Sequence, residues 1–541
     1  MAYLIIENFA NGLDLRKSPE TAPVGSLRVL KNAFINEGGE IEKRKAFSKI
    51  SALTEYGQSG SYKGRITGPF ACPGFSDKVF FRHRHNSLPG GDWNAGAGSI
   101  AESQDFGDGI NEFTAWVAKS TIAMASNSAL FHAMSYGEYS NKGYIVERNL
   151  DPTSKAFNTK HIYQTFTDDE PTAESEVTAN ADRDYQMILK DKGYVVKGKT
   201  MYASAVGDPS AMTGSGSGNV DLTTQGQPIG DAFSMADYFG QLAIFGRRGV
   251  QFYTVDADFA NNQYQRTVKS SIFAPGCVVG YGDGDVVFLG RNGVRSLQAR
   301  DSSNLARISD LGSPIDKVIK DALLFNSGES EAMFNLAPTY NNANYYNLAK
   351  GIIYPDLGQM WIILKEKVYV LSYFPGAKVQ AWSEFDLPVP DGDNRSVLSG
   401  TLKGRWIADI CPVNETLIMR NYSDEVFIYG GLDGETYDSS HVEIITPFLD
   451  MGKPGHVKTF TGIDMVCEGS WNVEICTQPS SEDVAPVWTK VAEVEGSTRN
   501  LQKIGGWQHA GVHLALRFTS NDAYAAKIGQ VTIYYDGGSE K

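Results

Sequence analysis

The segment Gly193-Tyr194-Val195-Val196-Lys197-Gly198-Lys199-Thr200 has the spacing of a phosphate-binding loop. In such a loop the backbone amides surround the phosphates, and a helix begins directly after the last residue. Here the inner positions are aromatic or β-branched, and Gly207-Asp208-Pro209 follows too soon for a helix. We therefore predict a β-hairpin, with strands at 194–196 and 199–202 around a turn at Lys197 and Gly198.

Pairs of histidines and carboxylates are the other candidates for chemistry. The four pairs are His83 and His85, His509 and His513, Asp283 and Asp285, and Asp391 and Asp393. The sequence around His509 alternates as a strand does, which does not suit a zinc pair on a helix. The acidic pairs lack the later ligands of a calcium loop. We expect surface and turn roles for them, and we predict no catalytic residue, metal site or cofactor.

A repeat defines the elements around these residues. Gly249 aligns with Gly293, 44 residues later, and each copy contains an apolar strand, a Gly-Arg-x-Gly turn and a further strand. A period in the forties is typical of a four-stranded propeller blade. Looser copies lie at 358–371 and 416–429, and degraded ones at 78–82 and 129–133. They indicate five or six blades without fixing the number.

The composition favours a mainly β protein and limits its partners. The 541 residues include 56 Gly, 26 Tyr and 27 Phe, which suits strands and tight turns. No apolar run approaches the roughly 20 residues that span a bilayer, so we expect no stable membrane insertion. The net charge of −14 opposes tight binding to phosphates. It would suit a conduit through which DNA slides, although composition by itself favours a role in solubility alone.

The predicted fold class is mainly β, with propeller-like blades, an extended N-terminal arm and a C-terminal β-sandwich. We place the arm with short strands at 1–60, the propeller-like domain at 61–440 and the sandwich at 441–541. Two long insertions are expected within the propeller, at about 86–112 and 165–220, because turn residues dominate there. One helix is predicted near 314–324, with Ser313 as its N-cap and Pro314 at its first position.

The cysteines and the chain start bear on cellular location. Five cysteines are scattered through the chain, so we expect free thiols. A pairing of Cys467 with Cys476 on neighbouring strands stays open. The start Met1-Ala2-Tyr3-Leu4-Ile5-Ile6-Glu7 lacks the basic and long apolar regions of a signal peptide, which favours synthesis in the cytoplasm.

Short motifs also occur in a characteristic order along most of the chain. They are Asn8-Phe9-x-x-Gly12-Leu13-Asp14, Asn32-Ala33, Gly39-x-Ile41-Glu42-Lys43-Arg44, Met201-Tyr202-x-Ser204, Ala274-Pro275-Gly276, Gly358-Gln359-Met360-Trp361, Ala381-Trp382-Ser383 and Gly469-Ser470-Trp471-Asn472-Val473, with the repeated blade strands among them. Each motif has low specificity, but their order resembles the tail nozzle proteins of short-tailed bacteriophages, also called tail hub or tail tubular component B proteins.

The resemblance implies a structural virion protein made in the host cytoplasm. Such proteins form a homohexameric ring that retains the packaged genome and conducts it during ejection. The expected partners are further copies of the chain, the adaptor or head-to-tail connector, tail fibres or receptor-binding proteins, and double-stranded DNA that passes without sequence-specific binding. The resemblance carries over no catalytic residue.

Two sets of residues are candidates for these roles. A channel or partner-docking loop is placed, on its length and lack of periodicity, at Pro89, Gly90, Asp92, Trp93, Asp105 and Asp108. An assembly arm is placed at Phe9, Leu13, Lys43 and Arg44.

Two other classes stay open. One is a stand-alone β-propeller that binds a protein or glycan ligand. The other is an enzyme such as a glycosidase, although the sequence lacks a Gly-x-Ser-x-Gly elbow and the Ser-x-Asp-x-Gly-x-x-Trp box of sialidase propellers.

Overall fold

The computed structural model shows a chain built mainly from β-strands. It describes residues 2–50, 65–84, 101–105, 114–119, 130–150, 157–167, 170–177, 184–270, 272, 274–282, 284–290, 293–302, 310–324, 349–364, 367–388, 407–413, 415–421, 425–479, 485–496 and 500–537.

The N-terminal segment is a series of seven short strands. They are β1 (Ala2–Ile6), β2 (Gly12–Leu13), β3 (Ser26–Leu27), β4 (Val29–Lys31), β5 (Ala33–Ile35), β6 (Ile41–Lys43) and β7 (Phe47–Ile50). Only β2 with β3, and β5 with β6, pair with each other. The remaining strands of the segment pair with distant parts of the chain, so the arm is part of the domains that follow it.

Seven blades follow in the described residues. Blade 1 contains β8 (Arg65–Cys72), β9 (Phe75–Arg84), β10 (Ala101–Asp105) and β11 (Thr114–Lys119). Blade 2 contains β12 (Leu130–Tyr139), β13 (Lys142–Leu150), β14 (Phe157–Thr167) and β15 (Glu170–Glu176). Blade 3 contains β16 (Tyr185–Leu189), β17 (Lys192–Lys197), β18 (Thr200–Ala203) and β19 (Gly218–Asp221). Blade 4 contains β20 (Ala232–Tyr238), β21 (Gln241–Gly246), β22 (Gly249–Thr254) and β23 (Gln263–Lys269).

Of the last three blades, the fifth and the seventh have only three strands of their own. Blade 5 contains β24 (Val278–Tyr281), β25 (Asp285–Gly290) and β26 (Gly293–Ser296). Blade 6 contains β27 (Lys350–Tyr354), β28 (Gln359–Leu364), β29 (Lys367–Phe374) and β30 (Val379–Asp386). Blade 7 contains β31 (Ile407–Val413), β32 (Thr416–Asn421) and β33 (Val426–Tyr429), and its outer strand is β7 from the arm.

The blades close into a ring. The first strands of consecutive blades are neighbours, from β8 through β12, β16, β20, β24 and β27 to β31, and β31 contacts β8 again. Pairing of β7 with β33 joins the N-terminal region to the last blade. The expected number of five or six blades is therefore corrected to seven. The blade that the sequence pattern did not count is blade 3, whose last strand, Gly218–Asp221, has the small and polar sequence Gly-Asn-Val-Asp.

The repeat and the hairpin are confirmed. Gly249 and Gly293 both begin the third strand of a blade, paired with Gly246 and Gly290 respectively. The phosphate-loop match lies on β17 and β18, which pair antiparallel with Lys197 opposite Thr200. A positive φ of 55° at Gly198 forms the tight turn between them.

The C-terminal strands form a sandwich with the arm. They are β34 (Val442–Ile445), β35 (Lys458–Glu468), β36 (Trp471–Cys476), β37 (Thr489–Val494), β38 (Asn500–Gly511), β39 (Ala515–Ser520) and β40 (Lys527–Gly537). One sheet has the order β38-β35-β40-β6-β5, with β1 also on β40. The other runs β34-β39-β36-β37 and continues through β4 into β30 of blade 6. Strand β4 thus joins the propeller and the sandwich in one nine-stranded sheet.

Within the described residues, helices are few and short. The α-helices span Leu297–Ser302 and Asp316–Leu324, and the 3-10 turns are Leu222–Thr224, Phe259–Asn261, Pro275–Cys277, Ser313–Ile315, Pro355–Leu357 and Pro375–Ala377. The helix predicted near 314–324 is present. Ser313 is not its N-cap, because it lies inside the preceding 3-10 turn, whose capping position is Gly312. In the described ranges, no helix has the length and apolar character needed to cross a bilayer.

Two further expectations differ from the structure, and the open question of a Cys467–Cys476 pairing is answered by it. Residues 101–105 form β10 within the region predicted as a loop, and 165–220 contains β15 and all of blade 3 rather than an insertion. The Glu-Pro-Thr-Ala-Glu-Ser-Glu sequence of β15 is so polar that no strand pattern is visible. Cys467 and Cys476 lie on β35 and β36, which belong to different sheets, and both are free thiols.

Candidate functional site

The first strands of the blades surround a cavity at the centre of the propeller. Its volume is about 210 Å³, and blades 1, 2, 3, 5, 6 and 7 contribute to its wall. The polar groups on this wall include Ser135, Tyr185, Lys350 and Asp409. In a propeller, the first strands of different blades line the centre, so their side chains meet there.

Asp409 joins three blades at this cavity. A register shift between Ile407 and Asp409 marks an irregularity at this point of β31. The Asp409 carboxylate accepts hydrogen bonds from the backbone amides of Ala133 in blade 2, at 2.7 Å, and Gly68 in blade 1, at 3.2 Å. Arg420 of blade 7 donates to the same carboxylate at 2.5 Å, and both side chains are at least 97% buried. The aspartate is therefore satisfied by contacts that position neighbouring blades.

Lys350 reaches into the cavity from the start of blade 6. Its ammonium group donates to the carbonyl oxygen of Ala133 at 2.8 Å, and the residue is 7% exposed. Burial lowers the pKa of Lys350, and the nearby negative charge of Asp409 partly offsets this effect. The backbone amide of Ala133 thus donates to Asp409, and its carbonyl oxygen accepts from Lys350. A register shift between Ala133 and Ser135 interrupts the ladder of β12 beside these contacts.

These contacts cross the centre of the ring. Lys350 connects blade 6 to blade 2, and Asp409 connects blade 7 to blade 2. A DNA duplex is wider than its major groove, which alone measures about 12 Å. A cavity of about 210 Å³ that these contacts cross is far too small for a duplex.

A second buried charge cluster connects blades 1 and 2. Arg82 of β9 donates to Glu147 of β13 at 2.6 Å and lies 2.8 Å from a carboxylate oxygen of Glu174 on β15. All three side chains are at least 99% buried, and Thr67 donates to Glu147 at 2.5 Å. Burial disfavours the charge of Arg82, but the two carboxylates outweigh this effect and raise the pKa of Arg82.

Similar polar contacts connect other blades. Arg148 of blade 2 pairs with Asp184, at the start of blade 3, at 3.0 Å. Arg266 of blade 4 pairs at 2.5 Å with Asp301, in the helix after blade 5. The hydrogen bond from Arg266 lowers the pKa of Asp301. Charged side chains therefore lie at several of the junctions around the ring.

The four candidate arm residues are buried within the chain itself. Phe9 is 0% exposed in the sandwich core, and Leu13 is 4% exposed in a propeller cluster. Lys43 is 0% exposed and donates to the carbonyl of Asp522. Arg44 bonds to Asn32 at 3.1 Å and to Asp438 at 2.9 Å. The structure places these residues where they fasten the arm to its own chain and leaves none of the four on the surface.

The candidate loop lies mostly outside the described residues. Pro89, Gly90, Asp92, Trp93 and Asp108 fall there, and Asp105 is the last residue of β10, paired with Thr114. The structure does not bring the described loop residue together with the arm residues.

The other sequence candidates have structural roles or fall outside the described part. Asp285 accepts from the hydroxyl of Ser296 at 2.5 Å and from the amide of Gln298 at 2.9 Å, which fastens the helix Leu297–Ser302 to its blade. His85, Asp283, Asp391 and Asp393 lie outside the described residues. Within the described ranges, no three His, Cys, Asp or Glu side chains come together as a metal ion requires.

Lys350, Asp409, Arg420 and Arg82 are the central residues that sequence reasoning missed. Arg82 follows the apolar run Val79-Phe80-Phe81, and Arg420 follows Leu417-Ile418-Met419. A charged residue at the end of an apolar strand is a usable signal, because lone charges are rarely buried without a partner. The identity of the partner is not visible in the sequence, since Arg82 and Glu147 are 65 positions apart.

No protein-family model and no curated protein matches this chain. Solved structures with partial similarity include the extracellular domain of a one-component system from B. thetaiotaomicron, at 10% identity and a TM-score of 0.30. That alignment covers 68% of this chain and 47% of the other, so the chain spans about half the length of that protein. BamB from Moraxella catarrhalis aligns at 10% identity and a TM-score of 0.25, over 54% of this chain and 79% of BamB. The Pan2 WD40 domain of Neurospora crassa aligns at 7% identity and a TM-score of 0.27, over 55% of this chain and 88% of that domain.

Similarities at this level carry no argument about function. The propeller assignment rests on the closed order of first strands described above. None of the three proteins is a phage tail protein, so the resemblance to tail nozzles rests on the sequence motifs alone.

Proposed function

We propose that the chain works by binding other macromolecules and, more specifically, that it is a ring-forming tail nozzle subunit of a short-tailed phage. One structural observation carries the proposal. The nine-stranded sheet runs from blade 6 through β4 of the arm into the sandwich. A subunit that must keep its place in a ring around a confined genome needs its domains fixed to one another, and this sheet fixes them.

The arm adds to this connection. Its strand β1 pairs with β40 of the sandwich, while β7 pairs with β33 of blade 7. Between them, Asn32 donates to Asp386 of blade 6 at 3.1 Å and to the carbonyl of His441, before the sandwich, at 2.8 Å. One of the motifs that carry the resemblance, Asn32-Ala33, therefore lies where the domains meet.

In this proposal the DNA conduit lies between copies of the chain. The centre of each propeller is crossed by Lys350 and Asp409, so DNA would pass along the axis of a ring of propellers. The net charge of −14 would keep the duplex from adhering to the wall. A ring can be built from head-to-tail contacts between identical copies, and such contacts close when the rotation between copies divides a full turn.

Sedimentation of the purified full chain, alone and with the adaptor protein of its phage, tests this proposal. We expect a discrete oligomer of six copies, alone or on the adaptor. A labelled DNA duplex should show no stable binding to the chain at physiological salt. A monomer under both conditions would contradict the ring.

A second candidate function is a stand-alone propeller that holds a protein or glycan ligand on one face. Phe239 favours it, because this side chain is 53% exposed at the turn between the first two strands of blade 4. Its ring lies against the equivalent turn of blade 5, where a Cβ added to Gly284 would come within 2.7 Å of it. Exposed aromatic side chains are common anchors in binding sites.

Binding of the monomeric chain to an immobilised glycan panel tests this second candidate. Signal from the wild-type chain that Phe239→Ala abolishes would support it. Equal signal from both chains would exclude this turn as the binding site.

A further inference from the structure

Lys350 differs from the other buried lysines in its surroundings. Lys192 donates to the carbonyls of Gly216 and Ala257, at 2.7 and 3.0 Å. Lys458 likewise donates to two carbonyls, at 2.9 and 2.8 Å. Lys43 donates to one carbonyl, that of Asp522, and is 0% exposed. Lys350 has one carbonyl, but its side chain lies on the wall of a cavity.

An ammonium group has three N–H donors, and its burial is costly unless they are satisfied. Ala133 accepts one bond from Lys350, and within the described residues no other group accepts from it. The remaining donors are therefore available to a group that enters the cavity.

The charges around the cavity favour an anion there. The Asp409 carboxylate receives three hydrogen bonds, one of them from Arg420, so its charge is already balanced. None of the described carboxylates forms an ion pair with Lys350. Lys350 is thus compensated only by the nearby charge of Asp409, which Arg420 shares, and an anion in the cavity would complete the balance. The hydroxyl of Ser135 is on the same wall and accepts the amide of Gln186 at 3.0 Å, which leaves its proton to donate.

The size of the cavity limits what can enter. A single water needs about 10–15 Å³ by this kind of measure, and sites for drug-sized ligands are about 300–1,000 Å³. The observed volume of about 210 Å³ lies between these values. An inorganic or small organic oxyanion fits that range, while a polymer does not.

We propose that the centre of the propeller binds one small oxyanion, a phosphate or a short carboxylate, through the Lys350 ammonium group and the Ser135 hydroxyl. The anion would join blade 6 to blade 2 beside the existing Lys350 contact. This inference goes beyond the proposed assembly function and does not depend on it, because the cavity lies within one chain.

Equilibrium dialysis of the full chain against radiolabelled phosphate, and separately against labelled acetate, tests the proposal at pH 7. We expect that at least one of the two anions, phosphate or acetate, binds saturably with about one anion per chain. Lys350→Met should weaken it at least tenfold, and Lys350→Arg, which keeps the charge, should retain more of it. Lys192→Met is the matched control, since it removes a buried lysine away from the cavity and should leave binding unchanged.

Thermal unfolding gives an independent readout. Phosphate raises the melting temperature of most proteins at high concentration without saturation. The bound anion should add a saturable rise at low concentration, which Lys350→Met removes. If Lys350→Met does not fold, Ser135→Ala provides the second variant, with an expected several-fold loss of affinity. No saturable binding of either anion, or equal binding by wild type and the Lys350 and Ser135 variants, would overturn the proposal.

Discussion

The propeller and the C-terminal sandwich are held together by different chemistry. The sandwich has one continuous apolar core that includes Phe460, Trp471, Leu516 and Phe518, all at most 1% exposed. The interior of the propeller is divided into several smaller apolar clusters, with charged side chains buried between them. The difference follows from the architecture, because two stacked sheets share one interface while a ring of blades has one at every junction.

This difference indicates what each kind of contact contributes. Apolar burial stabilises both regions, but it discriminates weakly between one blade neighbour and another. A buried ion pair forms only when the correct partners meet, and removing one partner leaves an uncompensated charge. We hypothesise that the charged contacts of the propeller specify which blades become neighbours. If so, charged contacts should matter for the propeller and apolar packing for the sandwich, which the mutations below test.

Loss of Arg82 should have the largest effect. Arg82→Met would leave Glu147 and Glu174 buried without their common partner, so we expect a loss of about 3–5 kcal/mol in the free energy of unfolding. Chemical denaturation would measure it. Lys490→Met is the control, since its pair with Glu493 is about half exposed and should contribute about 0.5 kcal/mol or less. A loss below about 1 kcal/mol in Arg82→Met would argue against a specifying role for this cluster.

Truncation of a side chain in the sandwich core should lower the free energy of unfolding by a similar or smaller amount. Unlike the loss of Arg82, this effect should not depend on salt. Leu516→Ala would create a cavity at a fully buried position and should destabilise by about 2–5 kcal/mol. Because no charge is removed, this loss should be the same at low and high salt. Val487→Ala, at a position 71% exposed, is the control and should change stability by less than about 0.5 kcal/mol. A strong dependence of the Leu516→Ala destabilisation on salt would contradict the proposal that apolar packing alone holds the sandwich core together.

Acid should weaken the junction between blades 4 and 5 through Asp301. The hydrogen bond from Arg266 lowers the pKa of Asp301 below its value in the unfolded chain. The contact is therefore fully stabilising above the unfolded pKa of about 3.9, and its contribution is lost as the pH falls through the lower, folded pKa. Asp301→Asn should be less stable at pH 7 by about 1 kcal/mol or less, since both side chains are partly exposed.

The measurement is the stability of both chains between pH 7 and pH 2.5. The gap between wild type and Asp301→Asn should narrow below about pH 4, while the gap for Leu516→Ala should stay constant. An unchanged gap for Asp301→Asn down to pH 2.5 would show that the ion pair does not stabilise this junction.

Phe239 should have the smallest effect on stability. Its ring is 53% exposed, so Phe239→Ala should change the free energy of unfolding by less than about 0.5 kcal/mol. Differential scanning calorimetry would check this. A loss above 1 kcal/mol would mean that the contact with the turn at Gly284 holds blades 4 and 5 together, and the side chain would no longer favour a ligand site.

The sequence predicted the parts of the fold that depend on local patterns. The blades around Gly249 and Gly293 were visible because glycines, arginines and β-branched residues recur at the same positions. The hairpin at Lys197 and Gly198 was visible because its turn has the required residue types. Blade 3 as a whole was missed, since Gly218–Asp221 and the residues before it are small and polar.

Pairings between distant segments were beyond such patterns. Nothing in Phe47–Ile50 shows that it completes the sheet of Val426–Tyr429, because the two segments meet only after the ring closes. The central site was missed for the same reason. Lys350, Asp409 and Ala133 come from three blades, and their contacts follow from the closure of the ring rather than from spacing along the chain.

Electron microscopy of the purified full chain, alone and after mixing with a candidate adaptor protein, would show whether copies of the chain form the proposed ring. The proposed nozzle function predicts closed rings of six copies around an axial opening wide enough for a DNA duplex, with the narrow centre of each propeller away from that axis. Single particles of one chain under both conditions would contradict the ring. So would rings whose only opening is the centre of a propeller.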